Sequence, residues 1–238
     1  MRGFLLLIAS FGLMADNEIY IDQSGNNAAI DIEQLGGSNM IGGLSSTSGS
    51  MTAAILTGGS MTLDINQIGA SNKFLTDGIL GDNFTGFFEF DGDTNTFEFS
   101  MDTSGLNGAD FVNAYVDITG GSNDFDIDLG QSSDVSYLDL DLIVDGDSND
   151  FTFDIDSTNY TSYIDIFGDS NTMTLTKSGY GSGTGSSGYF YLDLNGSTNT
   201  VNITQSSTLA LDYLKIESDA SSSNICVVQN DGGTSTSC

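Results

Sequence analysis

The chain has 238 residues and a formal net charge of −29, with 33 acidic residues against 4 basic ones, 30 Gly, and no His, Pro or Trp. This balance disfavours nucleic-acid binding and attraction to anionic lipid, because both need a basic surface. It also leaves acid–base catalysis to carboxylates. None of them stands out from a repeating background, so we expect neither enzymatic activity nor catalytic residues.

Residues 1–15 differ in composition from the rest of the chain. Arg2 provides a positive start, residues 4–8 and 11–14 are apolar, and Ala15 precedes the acidic Asp16. This pattern is typical of a short secretory signal peptide cleaved after Ala15. The apolar part is shorter than the about 20 residues that a membrane-spanning helix needs. We expect an exported, extracellular or cell-surface protein with no membrane span after cleavage; the alternative is a buried N-terminal strand or helix.

From residue 16 to residue 224 the sequence repeats a unit of two strands. Phe151, Phe153 and Ile155 alternate with polar residues, which is the pattern of a half-buried strand. A turn of the form Gly-x-Ser/Thr-Asn recurs at 69–72, 92–95, 120–123, 146–149, 168–171 and 196–199. Such a period is typical of solenoids. We predict an all-β, parallel β-solenoid of about eight or nine two-stranded coils, in two stacked parallel sheets. Residues 225–238 would add a C-terminal strand and a possible disulfide cap.

The turns define two edges of the predicted solenoid. The regular edge is predicted to contain Asn27, Gly49, Asn72, Asn95, Asn123, Asn149, Asn171, Asn199 and Asn224. The opposite edge is predicted to contain Asn17, Asn39, Ser60 and Asn83, followed by loops of variable length at 103–111, 156–162 and 178–188. Asn suits such turns because its side chain can cap backbone groups and stack on the Asn of the next coil.

Five of the six glutamines end a strand of the pattern apolar-x-apolar-x-Gln, and alternation points their side chains inward: Gln23, Gln34, Gln67, Gln205 and Gln229. A buried amide is costly unless it is paired, and stacking on the amide of a neighbouring coil would pair it. Gln34 and Gln67 are expected to lie three half-coils apart. The predicted structural ladder consists of these five Gln with Asn27, Asn39, Asn72, Asn95, Asn123, Asn149, Asn171 and Asn199.

The stretch Gln-Ser-Gly-Asn-Asn-Ala-Ala-Ile-Asp-Ile-Glu-Gln-Leu-Gly at residues 23–36 resembles the curlin repeat of curli fibre subunits. The resemblance is closest at 17–39 and 61–72 and returns at 199–205. It implies a secreted β-solenoid that polymerises end to end into an extracellular amyloid fibre, with ladder roles for Gln23, Gln34, Gln67, Asn27, Asn39 and Asn72. The middle coils depart from the family by placing Phe, Leu and Ile where it has a polar ladder, and the chain is more acidic.

Two further features leave alternatives open. Many acidic residues are expected to point outward: Asp124, Asp126, Asp128, Asp139, Asp141, Asp150, Asp154, Asp156, Asp165 and Asp193. They form either a solvated face suited to a saline medium or a ladder that binds calcium, although the sequence has no EF-hand loop and no Gly-Gly-x-Gly-x-Asp repeat. We therefore expect no cofactor, with calcium as the alternative. Cys226 and Cys238 form a local disulfide, remain free or bridge to another chain.

These patterns predict a structural protein that builds or joins an extracellular filament, as in biofilm or adhesion. Its expected partner is a second copy stacked end to end, or a related filament subunit. The alternative is a monomeric acidic solenoid, an adhesin or phage-associated receptor-binding stalk that binds through its variable loops.

Overall fold

The computed structural model describes residues 16–43, 52–101, 111–130, 135–178, 187–205 and 211–229, in which all regular structure is β-strand. The predicted signal peptide at residues 1–15 lies outside the described residues. No helix in the described part of the chain is long and apolar enough to cross a membrane.

The strands form two parallel sheets that face each other. Sheet 1 contains β1 (Asp16–Tyr20), β2 (Gln23–Ser24), β4 (Ser38–Gly42), β5 (Ala54–Thr57), β7 (Ser71–Leu80), β9 (Thr94–Met101), β11 (Asp124–Leu129), the first part of β13 (Asp150–Phe167), β14 (Thr172–Ser178), β16 (Thr200–Gln205) and β18 (Asn224–Gln229). Sheet 2 contains β3 (Ala28–Leu35), β6 (Ser60–Ile68), β8 (Asn83–Asp91), β10 (Phe111–Thr119), β12 (Val135–Asp145), the second part of β13, β15 (Ser187–Asn195) and β17 (Leu211–Ser218).

Each strand pairs in parallel with the equivalent strand of the next coil, so the predicted parallel β-solenoid is confirmed. The eight strands of sheet 2 are separated by seven full turns of the chain, slightly fewer than the predicted eight or nine coils. β18 is the last described strand of sheet 1, where it pairs with β16. The C-terminal strand expected from residue 225 therefore continues the solenoid.

One predicted loop is wrong. Residues 156–162 lie within β13, an 18-residue strand whose first part belongs to sheet 1 and whose second part belongs to sheet 2. Ser157 and Ser162 are buried although both are polar. Backbone pairing with Val135–Asp145 keeps this segment extended, because ladder hydrogen bonds do not depend on the side chains. Most residues of the other two predicted loops lie outside the described residues.

The core is a slab of apolar side chains between the sheets, as strand alternation predicts. In β9 and β11 the inward residues Phe97, Phe99, Phe125 and Ile127 are buried, while the residues between them face outward. Equivalent positions stack through the coils, so that Phe97 lies 5.5 Å from Phe74 and 6.2 Å from Phe125 between ring centroids. No coil encloses its own core, and neighbouring coils stabilise one another.

Candidate functional site

An asparagine from each coil forms a continuous ladder along one edge of the solenoid, here called the asparagine ladder. Its members are Asn17, Asn39, Asn72, Asn95, Asn123, Asn149, Asn171 and Asn199. Side-chain Nδ2 donates to the Oδ1 of the next member at 2.8–2.9 Å in five of the seven steps. In the other two steps the backbone N–H donates to that oxygen. All members from Asn39 onward are buried, so these bonds offset a desolvation cost that would otherwise disfavour the fold.

Beside this ladder the turn glycines stack with almost no space between coils. A Cβ added to Gly120 would lie 1.7 Å from the carbonyl oxygen of Gly92, and one added to Gly196 would lie 2.0 Å from that of Gly168. The serine or threonine two residues after the glycine has φ of 59–62° in the turns at Ser122, Ser148, Ser170 and Thr198. In these four turns the Gly-x-Ser/Thr-Asn motif therefore combines close backbone contact, a left-handed residue and a ladder amide, whereas Ser71 and Thr94 of the two earlier turns are not left-handed.

The positions predicted for the first and last members of this edge are wrong. Asn27 is exposed and lies on the opposite edge, whereas Asn17 and Asn39, which were predicted there, belong to the asparagine ladder. At the C-terminal end Asn199 donates its backbone N–H to Ser223 Oγ at 3.1 Å, so Ser223, rather than Asn224, occupies the next position. Gly49 lies outside the described residues.

Of the predicted glutamine ladder, Gln34 and Gln67 stack through a side-chain hydrogen bond. Gln67 Nε2 donates to Gln34 Oε1 at 2.6 Å, and both residues are buried. They lie one full turn apart, in register on β3 and β6, so the expected spacing of three half-coils is wrong. Phe90 occupies the equivalent position in the next coil, which ends the amide column. Gln23 is half-buried and pairs in register with Leu56.

The C-terminal glutamines belong to a different column, which contains a buried lysine. Lys177, Gln205 and Gln229 are in register on β14, β16 and β18, and the first two are buried whereas Gln229 is exposed. Lys177 Nζ lies 4.3 Å from the ring centroid of Tyr160, and Gln205 Nε2 donates to the Tyr160 hydroxyl. The Lys177 ammonium is thus placed over an aromatic face, which favours a cation. Alternation from Met173 could have predicted that Lys177 points inward.

At the N-terminal end the core columns stop at half-buried side chains. Ile30 and Ile32 of β3 are half-buried, whereas Leu63 and Ile65, which stack on them in the next coil, are buried. Ile19 of β1 is likewise half-buried above the buried Ile41. Within the described residues β1 and β3 pair with another coil on one side only, so the N-terminal end presents apolar side chains beside open strand edges.

The C-terminal end has the same character. Ile225 and Val227 of β18 are 37% and 39% exposed, whereas Val201 and Ile203 beneath them are each 1% exposed. Cys226 lies between these two side chains in sequence and is disulfide-bonded. Cys238, the second cysteine of the chain, lies outside the described residues.

The outward acidic residues stack in columns but form no metal site in the described part of the chain, where no group of three carboxylates or thiols is placed to share one ion. Asp124 is in register with Asp150, and Asp128 with Asp154. Partial burial, followed by repulsion from neighbouring carboxylates, raises the pKa of Asp126, Asp128, Asp141 and Asp165. Such shifts are expected where carboxylates stack at the strand spacing of about 4.8 Å.

The outer face of sheet 2 carries a feature that the sequence reasoning missed. All exposed aromatic side chains of the described residues lie there: Phe87, Phe111, Tyr115, Tyr137, Tyr163, Phe167 and Tyr213. Phe111 and Tyr137 stack with their centroids 4.9 Å apart. The signal was present, because these residues occupy the outward positions of the alternating strands. Exposed apolar clusters of this kind mark interaction surfaces.

Comparison of the chain with protein-family models, with curated proteins and with solved structures finds no match in any of the three. The resemblance to curlin repeats therefore rests on the residues of this chain.

Proposed function

We propose that the protein is an exported structural subunit that stacks end to end, with a second copy or with a related solenoid subunit, into an extracellular filament. The observation that carries this proposal is the state of the two ends, where columns that are buried inside the solenoid continue as half-buried or exposed apolar residues. Adding a coil from another molecule would bury them as the internal coils bury their equivalents.

The columns at the two ends are compatible in chemistry. Following the register through the coils places Ile30 in the column of Leu214 and Ile32 in the column of Ile216. A copy stacked head to tail therefore brings aliphatic residues together in sheet 2. Open strand edges supply backbone donors and acceptors for the same junction.

Charge opposes this association. Two chains of net charge −29 repel each other, and salt screens that repulsion, since the Debye length falls from about 30 Å at 0.01 M to about 3 Å at 1 M. We therefore propose that the filament forms in a saline extracellular medium, where screening of the charges lets the stacked copies stay together.

The test measures the assembly state of the chain from Asp16 to Cys238 by sedimentation velocity and negative-stain electron microscopy. It is done in salt of about 0.01 M and about 1 M. The unmodified chain is expected to form filaments at high salt. Ile32→Asp places a charge in the junction and should remain a monomer. The matched control Ala29→Asp adds the same charge to the outward face of β3 and should assemble as the unmodified chain does.

A monomer in all conditions would overturn the proposal. Equal assembly of Ile32→Asp and Ala29→Asp would also overturn it, because assembly would then not use the N-terminal end. Circular dichroism of both variants checks that each retains the β-solenoid.

The second candidate is a monomeric acidic adhesin. The exposed aromatic face of sheet 2 favours it, since that face offers a binding surface without assembly. The predicted binding loops contribute nothing to this argument: residues 156–162 are strand, and most of the other two loops lies outside the described residues.

A further inference from the structure

Two shallow grooves adjoin on the outer face of sheet 2 and together form one long channel. Their volumes are about 420 and 430 Å³, and both are lined by Tyr137, Leu138 and Thr161. The combined channel, called the sheet 2 groove, crosses β8, β10, β12, β13, β15 and β17. Five steps between these strands at about 4.8 Å give a length of about 24 Å, along the axis of the solenoid.

Aromatic rings lie at two places along the sheet 2 groove. Phe111 and Tyr137 lie on the side of β10 and β12, and Tyr189 and Tyr213 lie on the side of β15 and β17. The planes of Phe111 and Tyr137 differ by 7°. Since atoms in contact lie about 3.5–4.0 Å apart, a centroid distance of 4.9 Å means that the rings are offset and that part of each face remains open to a ligand.

Beside and between the rings the groove is lined by uncharged hydrogen-bonding groups and one carboxylate. These are Asn83, Thr85, Asn113, Asn159, Thr161 and Asp139. Asp141 lies two residues beyond Asp139 on β12. The main acidic column of this face, which includes Glu89 and Asp117, lies four residues further along the strands, at about 3.3 Å per residue or about 13 Å away. The lining of the groove therefore carries a single carboxylate, Asp139, although the molecule as a whole is strongly acidic.

We propose that the sheet 2 groove binds a linear, neutral polysaccharide. A pyranose ring presents C–H groups on its faces and hydroxyls around its edge, so it can stack on the aromatic rings while amide, hydroxyl and carboxylate groups bind its hydroxyls. An anionic glycan is repelled by the chain's net charge of −29. A cationic polypeptide would be held best by the acidic column, which lies outside the groove.

The groove does not depend on end-to-end assembly. It lies on the side of the solenoid and runs along its axis, so stacking leaves it exposed. Failure of assembly and failure of glycan binding are therefore separate results, one read from sedimentation and the other from ligand binding.

The experiment applies the chain from Asp16 to Cys238 to an array of immobilised neutral and anionic glycans. Polylysine serves as the cationic polypeptide probe. The strongest neutral hit is then titrated calorimetrically at two salt concentrations. We expect saturable binding of neutral linear glycans whose affinity does not change with salt, since no charge is neutralised. Tyr137→Ala should weaken it at least about tenfold, as expected for a central aromatic contact. Phe167→Ala, which removes an exposed ring of sheet 2 outside the groove, should leave the affinity within about twofold.

Three results would overturn the proposal. The first is no binding to any neutral glycan on the array. The second is equal loss of affinity in Tyr137→Ala and Phe167→Ala. The third is salt-sensitive binding of polylysine that Tyr137→Ala abolishes, which would assign the groove to a cationic polypeptide instead.

Discussion

Replacing Asn149 by Ala tests how much the asparagine ladder contributes to stability. Asn149 Oδ1 accepts hydrogen bonds from the backbone N–H of Asn123 at 2.9 Å and from Asn123 Nδ2 at 2.8 Å. Its own Nδ2 donates to Gly146 O and to Asn171 Oδ1, both at 2.9 Å. In the variant, Asn123 Nδ2 still donates to Gly120 O. Asn171 Oδ1 still accepts a hydrogen bond from the backbone N–H of residue 149. The substitution therefore leaves two backbone groups without these partners, the Asn123 N–H and the Gly146 carbonyl.

An unsatisfied buried backbone group costs about 1–3 kcal/mol. The Gly146 carbonyl is only partly buried, so its cost falls at the lower end and the total is about 2–4 kcal/mol. For a chain of this size that corresponds to a decrease in Tm of about 4–16 °C. The measurement is thermal and urea unfolding at low salt, followed by far-ultraviolet circular dichroism. Asn202→Ala on the outward face of β16 is the control and should change stability by less than about 0.5 kcal/mol. Equal stability of the two variants would refute a stabilising role for the asparagine ladder.

Three further predictions concern the coil contacts and the acidic faces. Gly168→Ala brings a Cβ within 2.0 Å of Gly146 O at φ +143° and should lower the free energy of unfolding by about 2–5 kcal/mol. Gly25→Ala should cost less, because Gly25 has a similar φ of +138° but its added Cβ would have no contact closer than 3.9 Å. A similar loss of stability in both variants would contradict a role for the close contact between coils. Added salt should raise the Tm of the monomer because it screens carboxylate repulsion, and a Tm independent of salt would contradict this. The free energy of unfolding should rise as pH falls from 7 to about 4, measured by urea titration at each pH. The reason is that the folded chain binds more protons than the unfolded chain wherever the folded pKa is raised, as it is for Asp126, Asp128, Asp141 and Asp165; a steady fall in stability over that range would contradict it.

Strand alternation and the Gly-x-Ser/Thr-Asn turn were sufficient to predict the two sheets, the parallel stacking and the buried faces. The register of the first coils was not predictable in the same way. Both Asn27 and Asn39 follow glycine-containing turns, and the turn from Gln34 to Gln67 takes 33 residues instead of the shorter steps found later. Counting back by the common period therefore assigned Asn27 to the wrong edge. Contacts between coils, rather than spacing along the chain, decide which asparagine joins the ladder.

Two other features could not be predicted from the local sequence: the continuous strand at residues 156–162 and the sheet 2 groove. The Ser, Thr and Asn residues of that segment favour a loop locally, and its extended backbone is held by pairing with β12, which a local pattern does not contain. The outward tyrosines were visible in the alternation, but their grouping depends on the register between coils. Phe111 meets Tyr137 because β10 and β12 align them across 26 residues of sequence, a relation fixed by the intervening turns.

The most direct measurement of the central claim is fibre diffraction, combined with electron microscopy, on the chain from Asp16 to Cys238 assembled in salt of about 1 M. End-to-end stacking predicts filaments with a meridional reflection at about 4.8 Å, the spacing of coils stacked along the fibre axis. Filaments whose strands do not run across the axis, or a monomer that persists at high salt, would contradict end-to-end stacking of the solenoid.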